Sequence, residues 1–198
     1  IVLPVAAINP AAVGSFVGTV FTTGMPEVRG SLTLTASTNG RVQAKVAMQD
    51  RTYALTANSW TALSEDGSTF VADLVDARRG VTLSLTVDGT GAGAGVFTLG
   101  GEAMDVVFDR VAWHRVTNPA LEYAGYYTVS LPVSRDVKAT GGSLGYVPFG
   151  GGYLAITIAA NGRVTYSGKM ADGTRVSGTT AVIESMGGLG TPSGHVTI

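Results

Sequence analysis

Apolar and polar residues alternate with a period of two along much of the chain. Leu32, Leu34 and Ala36 share one face, and Thr33, Thr35 and Ser37 the other; Val81, Leu83, Leu85 and Val87 alternate with Thr82, Ser84 and Thr86. This spacing fits half-buried strands, because successive side chains of a strand point to opposite sides. Noisier alternation predicts strands near 16–22, 41–48, 52–58, 69–75, 95–99 and 104–112, then near 124–131, 153–159, 163–170 and 174–182. Turn-formers punctuate them: Ser64-Glu65-Asp66-Gly67, Arg78-Arg79-Gly80, Asp88-Gly89-Thr90-Gly91, Gly141-Gly142 and Gly150-Gly151-Gly152. No ten-residue stretch carries a convincing helical period. The pattern predicts an all-β protein of antiparallel hairpins in a meander.

The chain nearly repeats itself. Residues 30–52 and 152–174 align without a gap at an offset of 122, with ten of twenty-three positions identical. The identities are turn residues and alternating apolar residues, so the repeat is architectural. It predicts two related units packed as a barrel or a sandwich. Their expected limits are 1–13 for a linker or first strand, 14–113 for unit one, 114–122 for a connector and 123–198 for unit two.

The Asn-Gly pairs predict a register. A two-residue loop at Asn39-Gly40 would set Leu34 against Lys45 and Ala36 against Gln43, apolar against polar. A three-residue loop, Thr38-Asn39-Gly40, pairs Leu32 with Val46, Leu34 with Ala44 and Ala36 with Val42. The same loop at Asn161-Gly162 pairs Ile158 with Val164 and Ile156 with Tyr166. Register follows the buried face, so a type I turn with a glycine bulge at Gly40 and Gly162 is expected. Ala171-Asp172-Gly173 reads as the same device; Gln49-Asp50-Arg51 lacks the glycine and is expected to differ.

Upstream of each repeat stands a related start, 16–20 and 123–127, at an offset of 107. By that alignment unit two carries fifteen extra residues somewhere in 132–151. This glycine-rich segment holds Tyr146 and Phe149, and long irregular loops often carry function. Unit two looks short after Val182, as if truncated or sharing a sheet with unit one. Residues 1–13 are apolar but contain Pro4 and Pro10 and no basic region. They make a poor signal peptide or membrane helix, and the chain reads as a fragment of a longer protein.

Composition narrows the function classes. Only 14% of the 198 residues are charged, where about 25% is usual, and 28 are glycine. The net charge is −1 with both signs scattered, which argues against nucleic acid as a partner. There is no cysteine, hence no thiolate metal site or cysteine nucleophile. An extracellular protein of this size can do without disulfides.

Candidate chemistry is sparse. His114, near Asp109, could act as an acid–base residue, but reads better as a polar residue at a strand end; His195 stands beside Gly194. Two histidines supply no metal-ligand spacing. No G-x-S-x-G nucleophile motif occurs. Carboxylates suited to glycoside cleavage fall mostly in turns or on outward positions. Calcium is the one cofactor considered, at Glu65-Asp66-Gly67-Ser68 or the Asp73/Asp76 pair. Gly91-Ala92-Gly93-Ala94-Gly95 lacks the lysine and helix of a phosphate loop and reads as a flexible hairpin connection. Tyr126, Tyr127, Tyr146 and Phe149 are the candidate ligand-binding residues, able to stack on a sugar if they face outward together. Asn39, Gly40, Asn161, Gly162, Asp172 and Gly173 are the structural turn residues.

The run from Gly125-Tyr126-Tyr127-Thr128, through Gly152-Tyr153-Leu154-Ala155-Ile156 and Asn161-Gly162-Arg163-Val164, to Gly168-Lys169-Met170-Ala171-Asp172-Gly173-Thr174 resembles a β-rich repeat module of large secreted bacterial surface proteins. The likeness is close over 123–180 and looser over 14–58, where Gly168 is replaced by Val46 and the Asp-Gly pair by Asp50-Arg51. It implies an extracellular, non-catalytic structural or adhesive module. Its expected partners are neighbouring domains or a second copy of the chain through edge strands. The alternatives are a small-ligand or glycan-binding barrel using the 132–151 loop, and an outer-membrane barrel. The latter ranks low because the strands look shorter than the roughly 9–11 residues it requires.

Overall fold

The computed structural model describes residues 10–25, 27–58, 60–62, 68–132, 151–186 and 192–196. Contacts divide the chain into two compact units, one running through Val111 and taking in Ile183–Ser193, the other comprising Ala112–Val182 and residues from Gly194 onward. The protein is all-β and antiparallel, as the alternation predicts.

After a 3-10 turn at Pro10–Ala12, unit one is a meander. Its strands are β1 (Gly14–Thr22), β2 (Val28–Ala36), β3 (Val42–Met48), β4 (Thr52–Ala57), β5 (Thr61–Ala62), β6 (Phe70–Asp76), β7 (Val81–Val87), β8 (Ala92–Leu99) and β9 (Glu102–Arg110). They pair in the order β4-β3-β2-β1-β9-β8-β7-β6-β5. Strands β1–β4 and β6–β9 form a nearly closed, eight-stranded barrel-like sheet. The closing pair is β1 with β9, which sets Phe16 opposite Arg110 and Val20 opposite Val106.

The core lies inside this sheet. Strand β7 alternates buried and exposed at every residue, with Val81, Leu83, Leu85 and Val87 inward. Phe16, Phe97 and Phe108 are fully buried, and Phe16 meets Phe108 edge-on at 5.9 Å between ring centres. Phe108 fits because it lies opposite a glycine on each side, Gly18 on β1 and Gly93 on β8. A Cβ on Gly18 would come within 2.5 Å of the Phe108 Cβ, and one on Gly93 would overlap the ring. This corrects the reading of Gly91–Gly95 as a flexible connection. Ala92–Gly95 are part of strand β8, and the missing side chains make room for an aromatic ring (the packing role of glycine in a strand).

A second, five-stranded sheet holds β10 (Gly125–Leu131), β11 (Gly152–Ile158), β12 (Arg163–Lys169) and β13 (Arg175–Met186), with β14 (Pro192–Val196) at its far edge. No strand was expected at 192–196. In β2–β3, Leu32 pairs with Val46 and Ala36 with Val42; in β11–β12, Ile156 pairs with Tyr166 and Ile158 with Val164. This is the register the buried face demands.

The pairing realigns the first strands. Gly14 pairs with Ala36 and Phe16 with Leu34, while Gly125 pairs with Ile158 and Tyr127 with Ile156. Gly14 and Gly125, both at positive φ, therefore hold the same place. The offset between β1 and β10 is 111 and not 107, so the connection to β11 is longer by eleven residues and not fifteen. The figure of fifteen comes from matching aromatic residues, whereas hydrogen-bonded partners decide the alignment.

Candidate functional site

Most polar side chains with a definite role hold turns. Asn39 Oδ1 accepts from the Arg41 N–H at 3.2 Å, Asn161 Oδ1 from Arg163 at 3.1 Å, and Asp172 Oδ1 from Thr174 at 2.8 Å. Each precedes a glycine at positive φ: Gly40 at 86°, Gly162 at 74° and Gly173 at 85°. Only glycine occupies that region without steric cost. The β3–β4 turn differs, as its lack of glycine predicts. Met48 N–H bonds to Arg51 C=O across a two-residue loop, where Met170 N–H bonds to Thr174 across three.

Three turn aspartates, Asp76, Asp88 and Asp172, titrate below the ordinary aspartate value. At Asp172 the Thr174 N–H and then its hydroxyl favour the ionised form. At Asp76 the Arg79 guanidinium, 2.7 Å away, is the main cause. At Asp88 burial pushes upward but is outweighed by the Thr90 hydroxyl and the N–H groups of Thr90, Ala92 and Gly91.

Tyr126 and Tyr127 are both exposed, by 70% and 42%. As neighbours on β10 they point to opposite faces of the sheet, so they do not share a surface. The Tyr127 hydroxyl donates to the Tyr123 carbonyl at 2.8 Å. Tyr146 and Phe149 lie outside the described residues, as does nearly all of 132–151. Among the calcium candidates, Glu65, Asp66 and Gly67 also lie outside them. Asp76 is engaged by Arg79, and Asp73 accepts from the Ser84 hydroxyl at 2.6 Å. His114 closes a local turn, its Nδ1 accepting from the N–H groups of Val116 and Thr117. No group of three His, Asp or Glu side chains suited to a metal occurs among the described residues.

Among the described residues of unit one are two concavities to which the periodicity does not point. One, about 530 Å³, opens at the end of the sheet where the β1–β2, β3–β4 and β8–β9 turns meet. Val28, Met48, Leu99 and Met104 supply its apolar lining, with Glu27, Arg29, Asp50 and Glu102 around it. Arg29 and Glu102 approach to 3.9 Å, and both are largely exposed. Such a pair contributes little to stability. The second, about 420 Å³, follows the seam between β4 and β6 and includes Thr56, Asn58, Val71 and Asp73. Periodicity could not reveal either, because each is assembled from strand ends or edges far apart in the chain.

Aromatic residues mark a second kind of position. Trp60 is buried in unit one, with its backbone N–H bonded to the Gly40 carbonyl at 3.1 Å. In unit two the Val182 N–H bonds to the Gly162 carbonyl at 2.8 Å, and Trp113 packs over Gly162. Trp113 also meets Tyr123 edge-on at 5.6 Å. These contacts consolidate the Asn-Gly turns and leave no reactive group between them. No family model matches the chain, and no curated protein or solved structure does so either.

Proposed function

We propose that this chain is a non-catalytic structural or adhesive β-module of a secreted or cell-surface bacterial protein. One observation carries the reading: most polar side chains with definite partners are employed as turn fasteners. Hydrogen bonds from their own turns hold Asp76, Asp88 and Asp172 below the usual aspartate range, and Asn39, Asn161 and His114 accept backbone N–H groups in theirs. A general acid or base needs its pKa near the working pH, the opposite of what these aspartates have. The surface location comes from the resemblance over 123–180. Protease treatment of intact cells making the parent protein tests it. Release of fragments carrying this module is expected; full protection until lysis would refute the location. A panel of ester, glycoside and phosphate substrates should give no saturable turnover, and turnover abolished by a single substitution would refute the non-catalytic reading.

A second reading, a small-ligand-binding barrel, draws on the mouth cavity. Its volume of about 530 Å³ lies within the range of ligand sites. Calorimetric titration with small-molecule and glycan panels separates the two readings. Saturable heat that disappears in Arg29→Ala or Glu102→Ala would favour the ligand-binding barrel.

A further inference from the structure

We infer that β10 is a self-pairing edge, through which two copies of this chain join β10 to β10 in an antiparallel, two-fold arrangement. The inference does not depend on the proposed function. Strand β10 has a single hydrogen-bonded neighbour, β11, among the described strands. Ala159 N–H donates to the Arg163 carbonyl, so the odd-numbered residues of β11 turn their backbone groups to β12 and the even-numbered ones to β10. The partners of Ile156 and Leu154 on β10 are Tyr127 and Val129, which therefore face β11. Tyr126, Thr128 and Ser130 consequently present their N–H and C=O groups to the open edge.

The strand itself carries none of the usual in-strand protections. From Gly125 to Leu131 there is no charge, no proline and no bulge, and six of the seven residues are exposed. Monomeric proteins normally blunt such edges. The strand is also complementary to itself. Centring a two-fold axis on Thr128 sets Tyr127 of one copy against Val129 of the other, and Gly125 against Leu131. Residues of one face then meet only residues of that same face. Tyr127 and Val129, exposed by 42% and 37%, would be covered.

Unit one shows what occupies the corresponding edge. By register β10 stands where β1 stands, and the β1 edge is filled by β9 running antiparallel. There β1–β4 and β9–β6 follow the strand directions of a two-fold about the β1–β9 pair. Two copies of β10–β13 joined at β10 reproduce that eight-stranded layout. A second copy thus supplies the strand, direction and face that β9 supplies within the chain.

Sedimentation velocity on the full chain tests this. The expected result is a reversible dimer. Thr128→Pro removes the edge donor while sparing the β11 ladder, and should raise the dimer Kd by roughly tenfold or more with an unchanged circular dichroism spectrum. Thr128→Cys decides the register: across a hydrogen-bonded antiparallel pair the Cα atoms lie about 5.5 Å apart, within disulfide range. Oxidation should give a covalent dimer, whereas Thr165→Cys, in the interior of the sheet, should not. A wild-type chain that stays monomeric at the highest concentration it reaches overturns the inference. So does a dimer unaffected by a folded Thr128→Pro. Should Thr128→Pro fail to fold, cross-linking decides: a Thr128→Cys covalent dimer upholds the pairing, and its absence overturns it.

Discussion

Trp113 lies directly over Gly162. A Cβ at Gly162 would come within 2.6 Å of the indole Cδ1 and 2.7 Å of the Trp113 Cβ. The same glycine holds φ at 74° for its turn and accepts the Val182 N–H. One residue thus serves the turn, strand β13 and the aromatic cover of unit two.

Gly162→Ala should therefore be costlier than Gly173→Ala, where φ is also positive but an added Cβ meets nothing within 4 Å. A left-handed conformation costs a non-glycine residue about 1–2 kcal/mol, and overlap with Trp113 adds about 1–3 kcal/mol. Urea denaturation of each variant, followed by tryptophan fluorescence, measures the difference. Equal losses would mean that the indole moves aside freely.

Phe16 and Tyr127 occupy equivalent register positions in β1 and β10, yet Phe16 is 1% exposed and Tyr127 42%. Phe16→Ala should cost about 3–5 kcal/mol, as for other buried aromatics. Tyr127→Ala, assayed at low protein concentration, should cost about 1 kcal/mol. Comparable losses would require Tyr127 to be covered in the isolated chain.

Gly93→Ala should destabilise unit one, because its Cβ would enter the Phe108 ring. The cost is about 1–3 kcal/mol for overpacking. Combining it with Phe108→Leu should recover part of that loss, giving a non-zero coupling in a double-mutant cycle. Strict additivity would show that β8 shifts to absorb the added methyl.

Acid should weaken the fold through its turns. The folded-state pKa of Asp76, Asp88 and Asp172 is depressed, so their contribution is present above the unfolded aspartate pKa and is lost as pH falls through the folded value. The urea midpoint should fall as pH drops below about 5. Asp172→Asn keeps the acceptor that Asn39 and Asn161 already provide in their turns, and should reduce the slope without preventing folding. An unchanged slope in Asp88→Asn/Asp172→Asn would assign the acid sensitivity elsewhere.

The hairpins were legible from sequence because their determinants are local. An Asn-Gly pair selects the loop, and the apolar residues on either side, Leu32, Leu34 and Ala36 against Val42, Ala44 and Val46, leave one register that buries one face. The missing glycine at Gln49-Asp50-Arg51 foretold a different loop for the same reason. Aromatic residues misled where hydrogen bonding decides: Tyr123 resembles Phe16 in sequence, but Tyr127 takes its place in the sheet.

Alternation and turn chemistry thus determined most of the strands, their antiparallel sense and the register within the Asn-Gly hairpins, since these depend on neighbours a few residues away. Tertiary structure alone decided that β1 pairs with β9, that Phe108 sits between Gly18 and Gly93, that Trp113 covers Gly162, and that turns from distant parts of the chain line one cavity. Those contacts join residues far apart in sequence through the size and shape of side chains, and a period-two pattern carries neither.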